Sequence, residues 1–242
     1  MKLGLIGYGA MGKLVANLAK AAGDEVGTIV TSRDASQDAL QLAAALREHD
    51  VAIDFSAASA VEKNVEACAR AGVPLVEGTT GWHDKQDAVR RIVAEHDGSL
   101  VYGANFSIGV NVFYRIVAHA ARLMTEIDQY DAFIEEEHHS RKRDAPSGTA
   151  LELKKLMTKH ISGDIPVASL RAGHIPGTHR VGFDSPADQI TLTHMARSRE
   201  GFAAGALLAA RWIVERKGVY EFREVIDQML RASSDEVSTT SR

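Results

Sequence analysis

The chain has one cysteine, Cys68, in 242 residues. A lone thiol cannot close an internal disulfide, so nothing here ties the protein to an oxidising compartment. Cys68 falls on the apolar side of a predicted helix and reads as a small core residue. An excess of basic charge is also missing: 28 Lys and Arg stand against 32 Asp and Glu, for a net charge of −4. That balance offers no global field for nucleic acid or an anionic membrane. No apolar run is long enough for a transmembrane helix. The opening Met1–Gly7 breaks at glycine too early for a secretory signal, and no small-residue cleavage pattern follows. By elimination the expectation is a cytoplasmic protein with neither nucleic acid nor membrane as partner. There is no internal repeat and no low-complexity linker.

What is present is ordinary globular composition, 45% hydrophobic and 25% charged, enough for one large domain or two modest ones. The first hundred residues alternate strand and helix patterns. Strands are expected at Leu3–Ile6, Val26–Thr31, Val51–Phe55, Val73–Glu77 and Leu100–Tyr102. Helices are expected at Met11–Ala22, at Ala39–Arg47, around Val61–Cys68 and around Val89–Val93. This order implies a parallel sheet covered on both faces, with ligands at the carboxyl ends of its strands. The middle of the chain changes character. A helical pattern over Ile108–Met124 precedes strand-like segments at Tyr130–Glu137, Val167–His174, Arg180–Phe183 and Gln189–Met195, with a hairpin turn at Ser185–Asp188. Two helical stretches follow, one through Phe202–Ile213 and one after Gly218 through Phe222–Met229, and the polar end from Ser233 to Arg242 is expected to fray. The fold class is therefore α/β: a Rossmann-type dinucleotide-binding domain plus an α+β domain with a mixed sheet.

Gly7-Tyr8-Gly9-Ala10-Met11-Gly12 is G-x-G-x-x-G between a strand and a helix. The first glycine permits the tight turn, the second lets the backbone approach a pyrophosphate, and the third lets helix and strand pack closely. The helix N-terminus offers amides and a positive dipole end to the phosphates. The second strand ends Thr31-Ser32-Arg33 without the acid that grips a ribose 2′-hydroxyl. Ser32 and Arg33 suit a 2′-phosphate, which leans the reading to NADPH over NADH; the alternative makes Arg33 a solvated loop residue and gives Asp34 the acid's role. Phe55-Ser56 and Gly78-Thr79-Thr80-Gly81 end later strands and belong near the same cofactor, unless they are ordinary strand-to-helix turns.

The chemistry concentrates in Glu137 to Ala150, from a strand end to a helix start. Thr149-x-x-Glu152 has capping-box form, and the Ser147-Gly148-Thr149 amides would form an anion-binding nest. Lys142 adds positive charge just before it. His138 and His139 suit proton transfer near neutral pH. Together these describe a carboxylate clamp beside a proton donor, as reduction of a small acid requires. The bland alternatives are a solvated Arg141-Lys142-Arg143 loop and histidines satisfied by Glu135, Glu136 or Glu137. A metal site is not expected, because adjacent strand histidines point to opposite faces and no third ligand sits at helical or loop spacing.

The run His138-His139-x-x-Lys142-x-Asp144-Ala145-Pro146-Ser147-Gly148-Thr149-Ala150 resembles the signature of the 4-hydroxy-tetrahydrodipicolinate reductase family. The resemblance covers nearly the whole chain: the glycine loop, Gly78–Gly81, Ala104–Asn111, the histidine segment, Gly177-x-His179-x-Val181, and Thr193-His194 to Arg199. It implies that His138 is the proton donor/acceptor and Lys142 a second proton donor and carboxylate partner. It also implies that His139, Gly148 and Thr149 bind substrate. It assigns cofactor contact to Gly7–Gly12, to Gly78, Thr79 and Thr80, and to Ala104, Asn105, Phe106 and Ser107. The implied reaction carries hydride from NADH or NADPH to C4 of a small ring dicarboxylate, with loss of water, in diaminopimelate and lysine biosynthesis. A homotetramer assembled through the second domain's sheet is implied too. So is a discontinuous first domain, residues 1–104 and 217–242, around a substrate-binding and oligomerisation domain, 105–216. Hinges near Asn105–Ser107 and Lys217 would then allow closure over substrate. The chain departs from many members in its shorter glycine loop, in the missing acid after the second strand, and in its compactness. Two rival readings remain: a dehydrogenase acting on a different acid, and a redox-sensing NAD(P)H-binding protein without turnover. The histidine–lysine segment argues against the first; the joint proton donor and clamp, without a basic helix-turn-helix, argues against the second.

Overall fold

A computed structural model describes the backbone of residues 1–239 and side chains through Arg231. Its chain divides into two compact units: Met1–Ile108 with Glu200–Arg242, and Gly109–Arg199.

The first unit grows from short apolar strands flanked by amphipathic helices. Strands β1 (Lys2–Ile6), β2 (Glu25–Val30), β3 (Val51–Asp54), β4 (Leu75–Glu77), β5 (Ser99–Tyr102) and β10 (Gly218–Glu221) form one sheet in the order β10-β5-β4-β3-β1-β2. Every pairing in it is parallel. Buried on both faces, its central strands are apolar without a polar alternation. Alternate residues instead sort between two cores. Leu3, Leu5, Ile53, Val76 and Val101 face one core, shared with helices α1 (Ala10–Ala21), α7 (Glu200–Ile213) and α8 (Phe222–Thr239). Ile6, Ala52, Leu75 and Leu100 face the other, with α2 (Ala39–Leu46), α3 (Val61–Ala71) and α4 (Gln86–Glu95). Helix α3 stops where Gly72 takes a left-handed φ of +71°. The chain leaves β1 toward β2 on one side and returns to β3 on the other, and this switch point opens a crevice at the strands' carboxyl ends.

Two expectations are corrected. Helix α7 belongs to the first unit, not to the segment 105–216, because Ala203, Ala206, Leu207, Ala210 and Ile213 bury a face in the core that α1 also lines. The chain therefore re-enters the first unit at Glu200 rather than near Lys217. Strand β10 was not expected at all; four residues fused directly to α8 leave no room for a readable alternation.

The second unit is built on a mixed sheet, β7-β6-β8-β9. Strand β6 (Asp131–His138) pairs parallel with β7 (Val167–Arg171) and antiparallel with β8 (Thr178–Asp184), which turns through Ser185–Asp188 into β9 (Gln189–Met195). One face packs Ala132, Ile134, Val181 and Phe183 against α5 (Ile108–Leu123) and α6 (Gly148–Met157). The other carries Phe133, Leu170 and Met195. Helix α8 runs through the polar end expected to fray, as far as Thr239; residues 240–242 lie outside the described residues. No helix among the described residues is long and apolar enough to cross a membrane.

Candidate active site

In the first unit the glycine loop has the geometry that its spacing requires. Gly7 has φ +86°, and a Cβ there would lie 2.4 Å from the Phe55 carbonyl oxygen. A Cβ on Gly12 would lie 2.0 Å from the Gly7 oxygen, so α1 and β1 touch through these two glycines. Space beside Gly9 is open. Gly9 is the N-cap of α1, with no side-chain cap bond and no acid in the first turn. That uncapped end, approachable at Gly9, fits a pyrophosphate.

A crevice of about 960 Å³ runs from this loop past Ser32, Arg33 and Phe55, with Lys13 and Lys63 also in its wall. A second, adjoining the loop at Gly9, Ala10 and Met11, is lined by Phe55 and by Gly78, Thr79 and Thr80. The structure thus brings these predicted segments to one sheet edge. Ala104, Asn105, Phe106 and Ser107 line neither cleft. Asn105 Oδ1 accepts from the Ser107 amide at 2.8 Å, and Phe106 is a core residue packed on Phe222 and edge-on to Phe55. Asp34 turns back into its own loop. Its Oδ2 accepts from the Thr31 amide at 2.8 Å and from Thr31 Oγ1 at 3.1 Å, and those bonds hold its carboxyl below the ordinary range. Lys63 Nζ donates to the carbonyls of Ala35 and Gln37, fixing the loop that follows Arg33.

In the second unit, a strand places Glu136 and His138 on one face, two residues apart, and both are buried. His138 Nδ1 donates to Glu136 Oε2. Arg171, beside His138 in the parallel register, reaches the same carboxylate with Nη1 3.0 Å from Oε2 and Nη2 2.5 Å from Oε1. The Ser147 amide donates to Oε1 at 3.2 Å. Burial would raise the Glu136 carboxyl, but the Arg171 hydrogen bonds, helped by Ser169 and His138, outweigh it and hold it at about 2. An ionised acceptor fixes the His138 proton on Nδ1 and leaves Nε2 as the exchanging nitrogen. Burial, opposed by Glu136, lowers His138 below its ordinary value.

His179, opposite Glu136 on β8, sets its ring 5.1 Å from that of His138, and its Nε2 lies 3.0 Å from Ser147 Oγ. Burial, then the charge of His138, lowers it to about 4. Ser147 Oγ accepts the Ala150 amide at 3.2 Å, so Ser147 and not Thr149 is the N-cap of α6. With its amide turned inward to Glu136, Ser147 also leaves the expected nest, and Gly148, with open space beside it, begins the helix. Lys142 Nζ donates to Asp144 Oδ2 at 2.8 Å, which lowers the Asp144 carboxyl. His139 Nδ1 is buried with no hydrogen-bond partner among the described residues.

Sequence spacing showed no third metal ligand, yet the fold supplies one: Glu136, His138 and His179 offer ligand atoms within 4.8 Å of one another. Both oxygens of Glu136 are engaged by the Arg171 guanidinium, however, and His138 Nδ1 by Glu136. The donor set is consumed in a hydrogen-bonded network that already holds a cation. Glu136, Arg171 and His179 had been given no role at the site, and Ser147 only one through its backbone amide in the nest. Glu136 was readable from the strand period; Arg171 and His179 enter through register, which sequence spacing does not reveal.

A parallel sheet with this glycine turn is the framework of NAD(P)H-dependent oxidoreductases, and the protein falls in that class. Residues 1–106 match the family model described as dihydrodipicolinate reductase, N-terminus, and residues 109–226 match the C-terminus of the same family. The chain belongs to the dihydrodipicolinate reductase family. It is 34% identical to 4-hydroxy-tetrahydrodipicolinate reductase of Christiangramia forsetii, across 96% of this chain and 100% of that one. It is 36% identical to the enzyme of that name from Archaeoglobus fulgidus, over 90% and 96%. A dipicolinate-bound dihydrodipicolinate reductase from Paenisporosarcina sp. TG-14 shares the fold, with a TM-score of 0.76 at 20% identity over 91% of this chain and 97% of that one.

Proposed function

We propose that the protein reduces 4-hydroxy-tetrahydrodipicolinate to 2,3,4,5-tetrahydrodipicolinate in diaminopimelate and lysine biosynthesis. The observation that carries this reading is the buried Glu136–His138 pair at the end of β6, beside the start of α6, in a chain of this family. Gly7–Gly12, Phe55 and Gly78–Thr80 of the first unit would hold the cofactor, which when bound would supply a hydride for C4. His138 Nε2 moves the proton that accompanies loss of the hydroxyl as water, with Nδ1 anchored on Glu136. Lys142 pairs with a substrate carboxylate in place of Asp144 and serves, with His138, as a donor of that same proton; His139, Gly148 and Thr149 complete the clamp. The balance is one hydride and one proton consumed and one water released per ring reduced.

NADPH is the favoured cofactor. Ser32 and Arg33 face the crevice with Lys13 and Lys63, while Asp34, the one nearby acid that could grip a 2′-hydroxyl, caps its own turn. The protein assembles as a homotetramer through the second unit's sheet, where Leu170 and Met195 stand 49% and 63% exposed on the face away from α5 and α6. Light scattering tests that assembly. The reaction is tested by coupling to dihydrodipicolinate synthase, which forms the unstable substrate in place. Oxidation of NADPH that needs both proteins supports the reading; none with either nicotinamide cofactor, from folded protein that binds it, contradicts it.

A further inference from the structure

Asp54 and Glu77 end adjacent parallel strands, β3 and β4, and stand opposite each other in the register. Both are 0% exposed. Partners in a ladder share a face; Ala52 and Leu75, two residues earlier on each strand, place it toward α2, α3 and α4. Asp54 Oδ1 accepts from the Ser56 amide and Oδ2 from Asn64 Nδ2, each at 2.7 Å. Glu77 Oε1 accepts from the Thr79 amide at 2.7 Å, and Glu77 Oε2 is buried with no donor among the described residues other than a proton held against Asp54.

Among the described residues the surroundings supply no counter-charge. The titratable neighbour on α3 is Cys68, whose thiol is pushed up by burial and then by the two carboxyls themselves. Helix α7 packs on β3 and β4 with Ala203, Ala206 and Leu207 in the core of the opposite face. Among the described residues no Lys, Arg or His pairs with either acid. Two adjacent carboxyls in a dry site do not both ionise; they hold one proton between them. Burial and then the charge of Asp54 push Glu77 well above the usual carboxylate range. Burial raises Asp54 against the hydrogen bonds from Ser56 and Asn64. A side-chain hydrogen bond joins the two carboxyls, lowering Asp54 and raising Glu77, so the shared proton lies between them with Glu77 as its donor.

The reaction proposed above does not use this pair, yet each acid grips the turn that follows its own strand. Those turns, at Ser56 and at Thr79, line the clefts beside the glycine loop and are tied together, with the Ser56 amide also donating to Thr79 Oγ1 at 3.1 Å. We propose that Asp54 and Glu77 are a shared-proton positioning pair for the two turns against which the nicotinamide cofactor rests, so that cofactor affinity is linked to their single proton. The proposal rests on the reading of this cleft as the cofactor site. Removing the proton puts a second buried negative charge beneath the turns, spreads the two acids, and adds repulsion toward an anionic dinucleotide.

The test measures the Kd of NADPH by fluorescence, with full-length wild type, Glu77→Gln and Asp54→Asn, from roughly pH 6 to pH 10. The wild type loses affinity on the alkaline side, approaching about tenfold per pH unit for one proton. Glu77→Gln, whose amide has no proton to lose, lacks that limb. An identical alkaline limb in Glu77→Gln overturns the proposal. Infrared spectroscopy of the wild type alone keeps it testable if the variants misfold. The carbonyl stretch of a protonated carboxylic acid at neutral pH is the expected result, and its absence overturns the shared proton. No NADPH binding at any pH, with that stretch present, overturns the linkage through the cofactor reading instead.

Discussion

Glu136 and His138 lie two residues apart on one face of β6, and the carboxylate of the first fixes the ring proton of the second. Because Arg171 grips the same carboxylate, one buried network sets both the charge of Glu136 and the tautomer of His138.

Glu136→Gln therefore lowers turnover and stability together. Glu136 titrates at about 2 in the folded chain against an ordinary 4.5. A lowered folded value means stabilisation present above pH 4.5 and lost as pH falls through about 2, worth about 3 kcal/mol. Urea unfolding across that window should show wild-type stability falling toward that of the variant. Parallel curves at all pH values would contradict an ionised Glu136.

His138→Ala mainly lowers kcat, by about a hundredfold to ten-thousandfold, as expected for loss of a proton-transfer group. Lys142→Ala raises KM and lowers kcat together, because one ammonium serves both carboxylate and proton. Steady-state kinetics separates the two patterns, and unchanged constants in both variants would remove the segment from the chemistry.

Gly177→Ala is more damaging to turnover than to folding. Gly177 has φ +145°, and a Cβ there would lie 3.1 Å from His138 Nε2, the nitrogen assigned to proton transfer. The backbone strain costs about 1–3 kcal/mol. Thermal melts and kcat, measured side by side, check that kcat falls further than this stability loss explains.

Arg33→Ala weakens NADPH by about tenfold to a hundredfold, the loss of one charge-assisted hydrogen bond, and leaves NADH nearly unchanged. Titration with each cofactor decides it. Equal loss for both would assign Arg33 to the shared part of the dinucleotide.

The first unit was legible because its signals are local. Val15, Ala16 and Ala19 repeat at helical spacing behind a glycine turn, and Gly72 marks where α3 must stop. The second unit's strands were readable from alternation, as in Ile190 to Met195. What escaped is what neighbours decide. Helix α7 looks equally apolar whichever unit it joins, and only its packing beside α1 assigns it. Ser147 and Thr149 both suit an N-cap; the inward pull of Glu136 and His179 selects Ser147. Arg171 and His179 reach the candidate site only because β7 and β8 flank β6 in a particular register.

The most direct test of the central claim follows the transferred hydrogen. NADPH carrying deuterium at its transferring position is supplied with substrate generated in place by dihydrodipicolinate synthase, and the product is analysed by mass spectrometry and NMR. The account predicts tetrahydrodipicolinate bearing one deuterium at C4, formed by the wild type and scarcely by His138→Ala. NADPH left unconsumed by folded, cofactor-binding protein, or deuterium appearing elsewhere, would contradict it.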